Sequence, residues 1–146
     1  MTNFRNWLEN AQNHRSGVPR VRGVRGLPGV LSRGELSVVY QPIVSFQTME
    51  PFAYEALVRS DSPHWTSPPK LFEEAIKSRC VGALGRAIRE IATTQLTDMP
   101  LFLNVHPNEF DESWLVRPDD PIFTPDQPIY LEVTESVPPS HFAYCP

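Results

Sequence analysis

The chain has 146 residues, and that length fits one domain. With 40% hydrophobic and 21% charged residues it carries enough apolar material for a packed core, which argues against wholesale disorder. The charge is uneven: residues 1–33 hold six arginines and one acid, whereas residues 34–146 are strongly acidic and bring the whole to −4. An acidic body behind a basic arm is not the composition of a protein that binds a nucleic acid polymer.

No apolar run approaches the roughly 18 residues of a membrane-spanning helix. The first ten residues, with Asn3, Arg5, Asn6 and Glu9, do not read as a signal peptide. Two cysteines, Cys80 and Cys145, are too few for a disulfide framework and suit a reducing compartment. The expectation is a soluble, cytoplasmic protein. Proline reaches 16 residues, about 11% against a usual ~5%, while glycine is only 7. The prolines are spread along the chain and mark loops between short elements.

In chain order, Asn3 to Gln12 has Phe4, Trp7 and Leu8 at helical spacing. The stretch from Ser16 to Gly26 holds three glycines and a proline without helical period, and reads as a linker. The division is therefore a basic helix and linker over 1–26 and a body over 27–146. In the body, Leu36 to Ile43 is β-branched and aromatic and predicts a strand; Glu50 to Val58 predicts a second. Pro68-Pro69 opens a helix from Lys70 to Lys77, and Leu84, Ala87, Ile88 and Ile91 stripe another from Val81 to Leu96. Leu101 to Val105 is a short buried strand, Glu109 to Leu115 a turn of helix, and Ile129 to Thr134 a further strand. Strands separated by helices point to an α/β protein built from parallel βα units.

Three polar side chains interrupt these apolar strands: Glu55, Asn104 and Glu132. By two-residue periodicity Glu55, Leu57 and Arg59 share a face, as do Phe102 and Asn104, and Tyr130 and Glu132. Each polar residue reads as lying late in its strand, and in parallel βα architectures the C-terminal strand ends build the active site. All three offer oxygen and none offers sulfur, which favours Mg²⁺, Mn²⁺ or Ca²⁺ over Zn²⁺. Arg59 is placed either to neutralise Glu55 or to hold a phosphate. The plainer reading of any one of them is a solvated strand terminus. The four histidines show no metal-ligand spacing, and His106 draws interest only through its closeness to Asn104.

Four segments, Tyr40-Gln41-Pro42-Ile43-Val44, Tyr54-Glu55-Ala56-Leu57-Val58-Arg59, Leu103-Asn104-Val105 and Leu131-Glu132-Val133-Thr134-Glu135-Ser136, together resemble the EAL domain family of cyclic di-GMP phosphodiesterases. The resemblance runs from about residue 30 to 146 and implies a partial TIM-like (β/α) barrel, about four of eight strands, with the first antiparallel to the rest. It implies hydrolysis of cyclic di-GMP to linear pGpG in the intact domain, with Mg²⁺ or Mn²⁺. By the same resemblance Glu55, Asn104 and Glu132 correspond to metal ligands, and Gln41, Leu57 and Arg59 to positions lining the dinucleotide. Glu135 corresponds to a catalytic glutamate that steadies a loop over the metal. His106 stands where a small hydroxyl residue is common, and Ser60-Asp61 follows Arg59 where tryptophan is frequent. The family's later acidic residues and lysine fall beyond Pro146, so the chain is expected to be a truncated domain, inactive alone. The alternatives are a non-catalytic cyclic di-GMP sensor, or an interaction module that pairs as a homodimer, or with another protein chain, through an open half-barrel.

Overall fold

The structure, a computed structural model, describes residues 34–111 and 117–133 together with Leu27, Gly29, Val30 and Leu115. The expected helix over 3–12, the linker, Glu135 and the last residue of the final strand lie outside the described residues.

Strand β1 (Leu36–Val44) turns back through Ser45 to Glu50 into β2 (Pro51–Ser60). Helices α1 (Pro68–Lys77) and α2 (Val81–Gln95) follow, then β3 (Leu101–Val105), the single turn α3 (Asn108–Asp111), a 3₁₀ turn at Pro121–Phe123 and β4 (Ile129–Val133). The four strands form one sheet in the order β1-β2-β3-β4. β1 pairs antiparallel with β2, and β2-β3 and β3-β4 pair in parallel. The first strand therefore runs against the others.

Local chemistry explains the boundaries. Ser67 stands at the N-cap of α1 with prolines in its first turn, where the missing N–H groups would have no helical partner. The helix stops at Ser78, and Arg79 then takes a positive φ of 52°. At the hairpin turn Met49 has φ 57°, a conformation that reverses the chain over few residues. Pro100 cannot continue a helix, so α2 ends at Gln95 and the chain re-enters the sheet at Leu101.

The helices lie on one face of the sheet. Val38, Ala56, Val58, Leu101 and Leu103 from the strands pack with Leu71 and Ala75 of α1 and Leu84, Ile88 and Ala92 of α2. Leu27, Val30 and Leu96 complete that core. Each large aliphatic side chain buried there contributes about 1.5–3 kcal/mol relative to exposure. The Tyr40 hydroxyl donates to the carbonyl oxygen of Ala92 at 3.0 Å, tying β1 to α2. Burial pushes that phenol's pKa upward, because the phenolate would be poorly solvated.

Trp65 is half-buried against this core. Cys80 is partly buried and stands at the N-cap of α2. The turn of helix expected over 109–115 is described over Asn108–Asp111.

Candidate functional site

The opposite face of the sheet carries the polar residues. Gln41 of β1 stands across from Glu55 of β2, with Val39 across from Leu57 and Ser37 across from Arg59. Glu55 is level with Phe102 of β3, which puts Leu57 level with Asn104. Asn104 is in turn directly beside Glu132 of β4. Side chains two apart point the same way, so Gln41, Glu55, Leu57, Asn104 and Glu132 occupy one patch of one face.

Within that patch Asn104 Nδ2 donates to Glu55 Oε1 at 2.6 Å, joining residues 49 apart in sequence. Glu55 and Asn104 are half-buried, whereas Gln41 and Glu132 are exposed. Beneath them on the same face, the rings of Phe102 and Tyr130 stack with centroids 4.6 Å apart and planes at 18°. This aromatic pair forms an apolar floor towards the strands' N-terminal side.

Two expectations need correction. Glu55 lies at the middle of β2 and not late in it, because the antiparallel pairing with β1 keeps β2 extended to Ser60. Its pairing with β3 stops at Ala56 and Leu103, so Glu55 still sits near the end of the parallel part of the sheet. The suggested pairing of Arg59 with Glu55 does not form: the Arg59 guanidinium donates to the carbonyl oxygen of Val58 at 2.8 Å and is otherwise exposed. Of the two roles weighed for Arg59, contact with an external anion is the one this geometry leaves open. Glu135 lies outside the described residues.

Glu55, Asn104 and Glu132 together offer two carboxylates and a carboxamide oxygen, a donor set chemically suited to a hard divalent cation. Among the described residues no group of three or more His, Cys, Asp and Glu side chains is arranged to hold a metal. His106, just past β3, is part of the scaffold: its ring stacks on Phe72 with centroids 5.6 Å apart, and its Nδ1 accepts the Asn108 N–H at 3.2 Å.

A second polar cluster lies beneath the sheet and was not anticipated. Arg89 of α2 donates through Nη1 to Glu109 Oε2 at 2.5 Å, and through Nε and Nη2 to the Asp120 carboxylate at 3.0 and 2.8 Å. The side chains of Arg89, Glu109 and Asp120 are 1%, 0% and 0% exposed, so the cluster is cut off from water. Glu109 Oε1 accepts the backbone N–H of His106 at 2.9 Å, and Asp120 Oδ1 accepts the N–H of Ile122 at 3.2 Å. Burial works against the Arg89 charge, but its hydrogen bonds to Asp120 and Glu109 outweigh that effect and hold its pKa above the usual value. Burial raises the Glu109 carboxyl pKa, an effect that its bonds to Arg89 only partly offset. Glycine at 85 makes the approach possible: a Cβ there would stand 2.7 Å from Glu109 Oε1 and closer still to its Cδ and Oε2. The available sequence signals were an arginine within the apolar stripe of α2, between Ile88 and Ala92, and the Asp120-Pro121 pair that opens a helical turn.

Several solved structures resemble the chain. The PaMucR phosphodiesterase in complex with c-di-GMP matches with a TM-score of 0.64 at 22% identity, over 75% of this chain and 50% of that one. The EAL domain of FimX from Xanthomonas citri, in complex with c-diGMP, matches with a TM-score of 0.60 at 20% identity, over 94% of this chain and 52% of that one. The EAL enzyme Bd1971 in its cGMP-bound form matches with a TM-score of 0.60 at 19% identity, over 92% of this chain and 38% of that one. The chain thus spans about half, or less, of the length of these proteins, and its mixed four-stranded sheet corresponds to part of the EAL TIM barrel. No curated protein is similar enough to count as a match. The EAL domain model matches residues 25–143 and so takes in every strand, both longer helices and the whole polar patch. On that match this chain belongs to the EAL domain family, which uses divalent metals.

Proposed function

We propose that the polar patch is part of a metal-dependent cyclic di-GMP phosphodiesterase site, in which Glu55, Asn104 and Glu132 hold Mg²⁺ or Mn²⁺. The observation that carries this reading is the joining of Glu55 to Asn104 at 2.6 Å with Glu132 in register beside it, three oxygen-bearing side chains on three adjacent parallel strands. When bound, the cation would polarise a phosphoryl oxygen and lower the pKa of the attacking water.

The chain's own residues supply the rest of the reading. Gln41 and Leu57 flank Glu55 on the same face and line the dinucleotide, Gln41 by hydrogen bonding and Leu57 by apolar contact. Arg59, exposed and without a carboxylate partner among the described residues, meets a phosphate. Glu135 acts as the glutamate that steadies the loop over the metal. Asn104 would offer its carbonyl oxygen to the cation with its amide turned over, in place of the hydrogen bond to Glu55.

This chain spans about half, or less, of the matched proteins, and a polypeptide of residues 1–146 alone is expected to bind without turning over. A second reading, in which the open sheet pairs with another copy or another chain, is favoured by β4: Leu131 and Val133 are 43% and 44% exposed on the face that the helices cover elsewhere.

The test is a calorimetric titration of Mn²⁺, then of cyclic di-GMP with Mg²⁺ or with EDTA, into the 146-residue chain. Mn²⁺ binding lost in Glu55→Ala and Glu132→Ala, with nucleotide binding abolished by EDTA, is the expected result. A folded chain that takes up neither ligand would refute the site. Formation of pGpG above the Glu55→Ala background would refute the expected lack of turnover, and a concentration-dependent dimer without ligand affinity would support the second reading.

A further inference from the structure

We propose that Arg89, Glu109 and Asp120 act as positioning residues for the site above them, holding the end of β3 so that the Asn104 side chain meets Glu55. The inference rests on the phosphodiesterase reading only for its functional meaning; the geometry stands by itself.

The connection runs through hydrogen bonds. Asn104 is the penultimate residue of β3, and His106 is the first residue beyond it. The backbone N–H of His106 lies past the last β3-β4 pair, at Val105 and Val133, and is taken up by Glu109 Oε1 at 2.9 Å. The other oxygen of Glu109 is held by Arg89 at 2.5 Å, and Arg89 is held in turn by both oxygens of Asp120. With all three side chains at 0–1% exposure, no water competes for these bonds. The β3 exit is therefore anchored to α2, a helix packed against β1 and β3 through the core. The same Asp120 caps the 3₁₀ turn that leads towards β4 and Glu132.

The Glu109–His106 bond also caps the start of α3, so what marks a positioning role is that this cap is itself held by buried Arg89 two residues from Asn104. An apolar pair on α2 and α3 would fill the space, whereas this cluster uses a buried charge and a glycine and takes up the backbone N–H groups of His106 and Ile122. Outer partners that orient a ligand set in this way commonly alter metal affinity 10–100-fold when removed.

The test uses nuclear magnetic resonance on the full 146-residue chain without metal, reading two signals: hydrogen exchange of the His106 amide and the side-chain NH₂ pair of Asn104. In the unmodified chain the His106 amide is expected to be protected to the same degree as the β3 amides. Exchange at the rate of an open amide would overturn the proposal without any variant. Glu109→Ala is expected to expose that amide and shift or broaden the Asn104 pair. Glu109→Gln, which keeps an acceptor for His106, restores both signals even where overall stability falls. A folded Glu109→Ala chain that melts earlier but keeps the Asn104 signals unchanged would show a merely structural role and overturn the proposal. Should Glu109→Ala fail to fold, Glu109→Gln decides alone: the Asn104 pair at its original position supports the proposal, and loss of that pair with the His106 amide still protected refutes it. Added Mn²⁺ serves as a separate arm, expected to bind about tenfold or more weakly in Glu109→Ala. Absence of Mn²⁺ binding in the unmodified chain would count against the phosphodiesterase site and leave the two amide readouts standing.

Discussion

Gly85→Ala separates packing from propensity because the two act in opposite directions. Gly85 lies inside α2, where alanine is ordinarily better than glycine by about 1 kcal/mol, so helix propensity alone predicts a more stable protein. The space beside it is already taken: the added methyl would stand 2.7 Å from Glu109 Oε1 and nearer to the carboxyl carbon. Glu109 is fully buried and anchored at both oxygens, by Arg89 and by the His106 N–H, and has no free rotamer into solvent. Displacing it breaks a buried ion pair from one side, which costs about 3–5 kcal/mol. Subtracting the propensity gain leaves a destabilisation of about 2–4 kcal/mol. Urea unfolding followed by circular dichroism would show this as a midpoint lower by about 1–2 M for a slope near 2 kcal/mol/M. In a Glu109→Ala background the same substitution should become neutral or stabilising, because nothing remains for the methyl to strike. An unchanged or raised midpoint in the otherwise native chain would refute the packing argument. Equal losses in both backgrounds would refute the assignment to Glu109.

Other expectations follow from the same packing. The partly buried Tyr40 phenol titrates above its ordinary value of 10.0, so the stability tied to it is complete below pH 10 and is lost as pH rises beyond that point. Tyr40→Phe should cost about 1 kcal/mol at neutral pH for the lost bond to Ala92 and should flatten the alkaline limb of the stability profile; an unchanged limb would refute the link. Leu103→Ala removes a side chain 1% exposed at the centre of the sheet and should cost about 2–5 kcal/mol by urea unfolding. A loss under 1 kcal/mol would show that the described core is loosely packed. Lys77→Met breaks an ion pair whose two side chains are 62% and 64% exposed and should leave the urea midpoint unmoved; a clear shift would contradict the exposed geometry.

Much of this fold is legible in the sequence, for a local reason. Leu101 to Val105 is apolar, flanked by Pro100 and followed by polar residues, and the strand has those same limits. The helices declare themselves through Pro68-Pro69 and through the stripe of Leu84 and Ile88, features set by neighbours within a few residues. Asn104 and Glu132 stand out because each interrupts an apolar strand, and their two-residue phase places them correctly on the face away from the helices. What escapes such reading depends on distance along the chain. The length of β2 beyond Glu55 is decided by β1, and Arg89 finds its partners 20 and 31 residues away. An arginine in an apolar stripe signals that a buried acid exists somewhere, but only the fold says which one. Likewise, Gly85 looks like a propensity defect until Glu109 is seen to occupy its missing Cβ.

The mixed sheet also sets an order in time. The β1-β2 hairpin closes between Val44 and Pro51, roughly 7 residues, whereas bringing Glu55 to Asn104 closes a span of 49. The longer closure carries an additional entropic cost of about 1.7 kcal/mol before any parallel contact forms. The hairpin that carries Gln41 and Glu55 is thus expected to form early, and β3 and β4 to dock late. Stopped-flow folding should then show Val38→Ala slowing refolding and Leu103→Ala chiefly speeding unfolding, and the reverse pattern would contradict this order. On this route the carboxylate waits for its amide: the polar patch is among the last parts of the molecule to be assembled and the first to come apart.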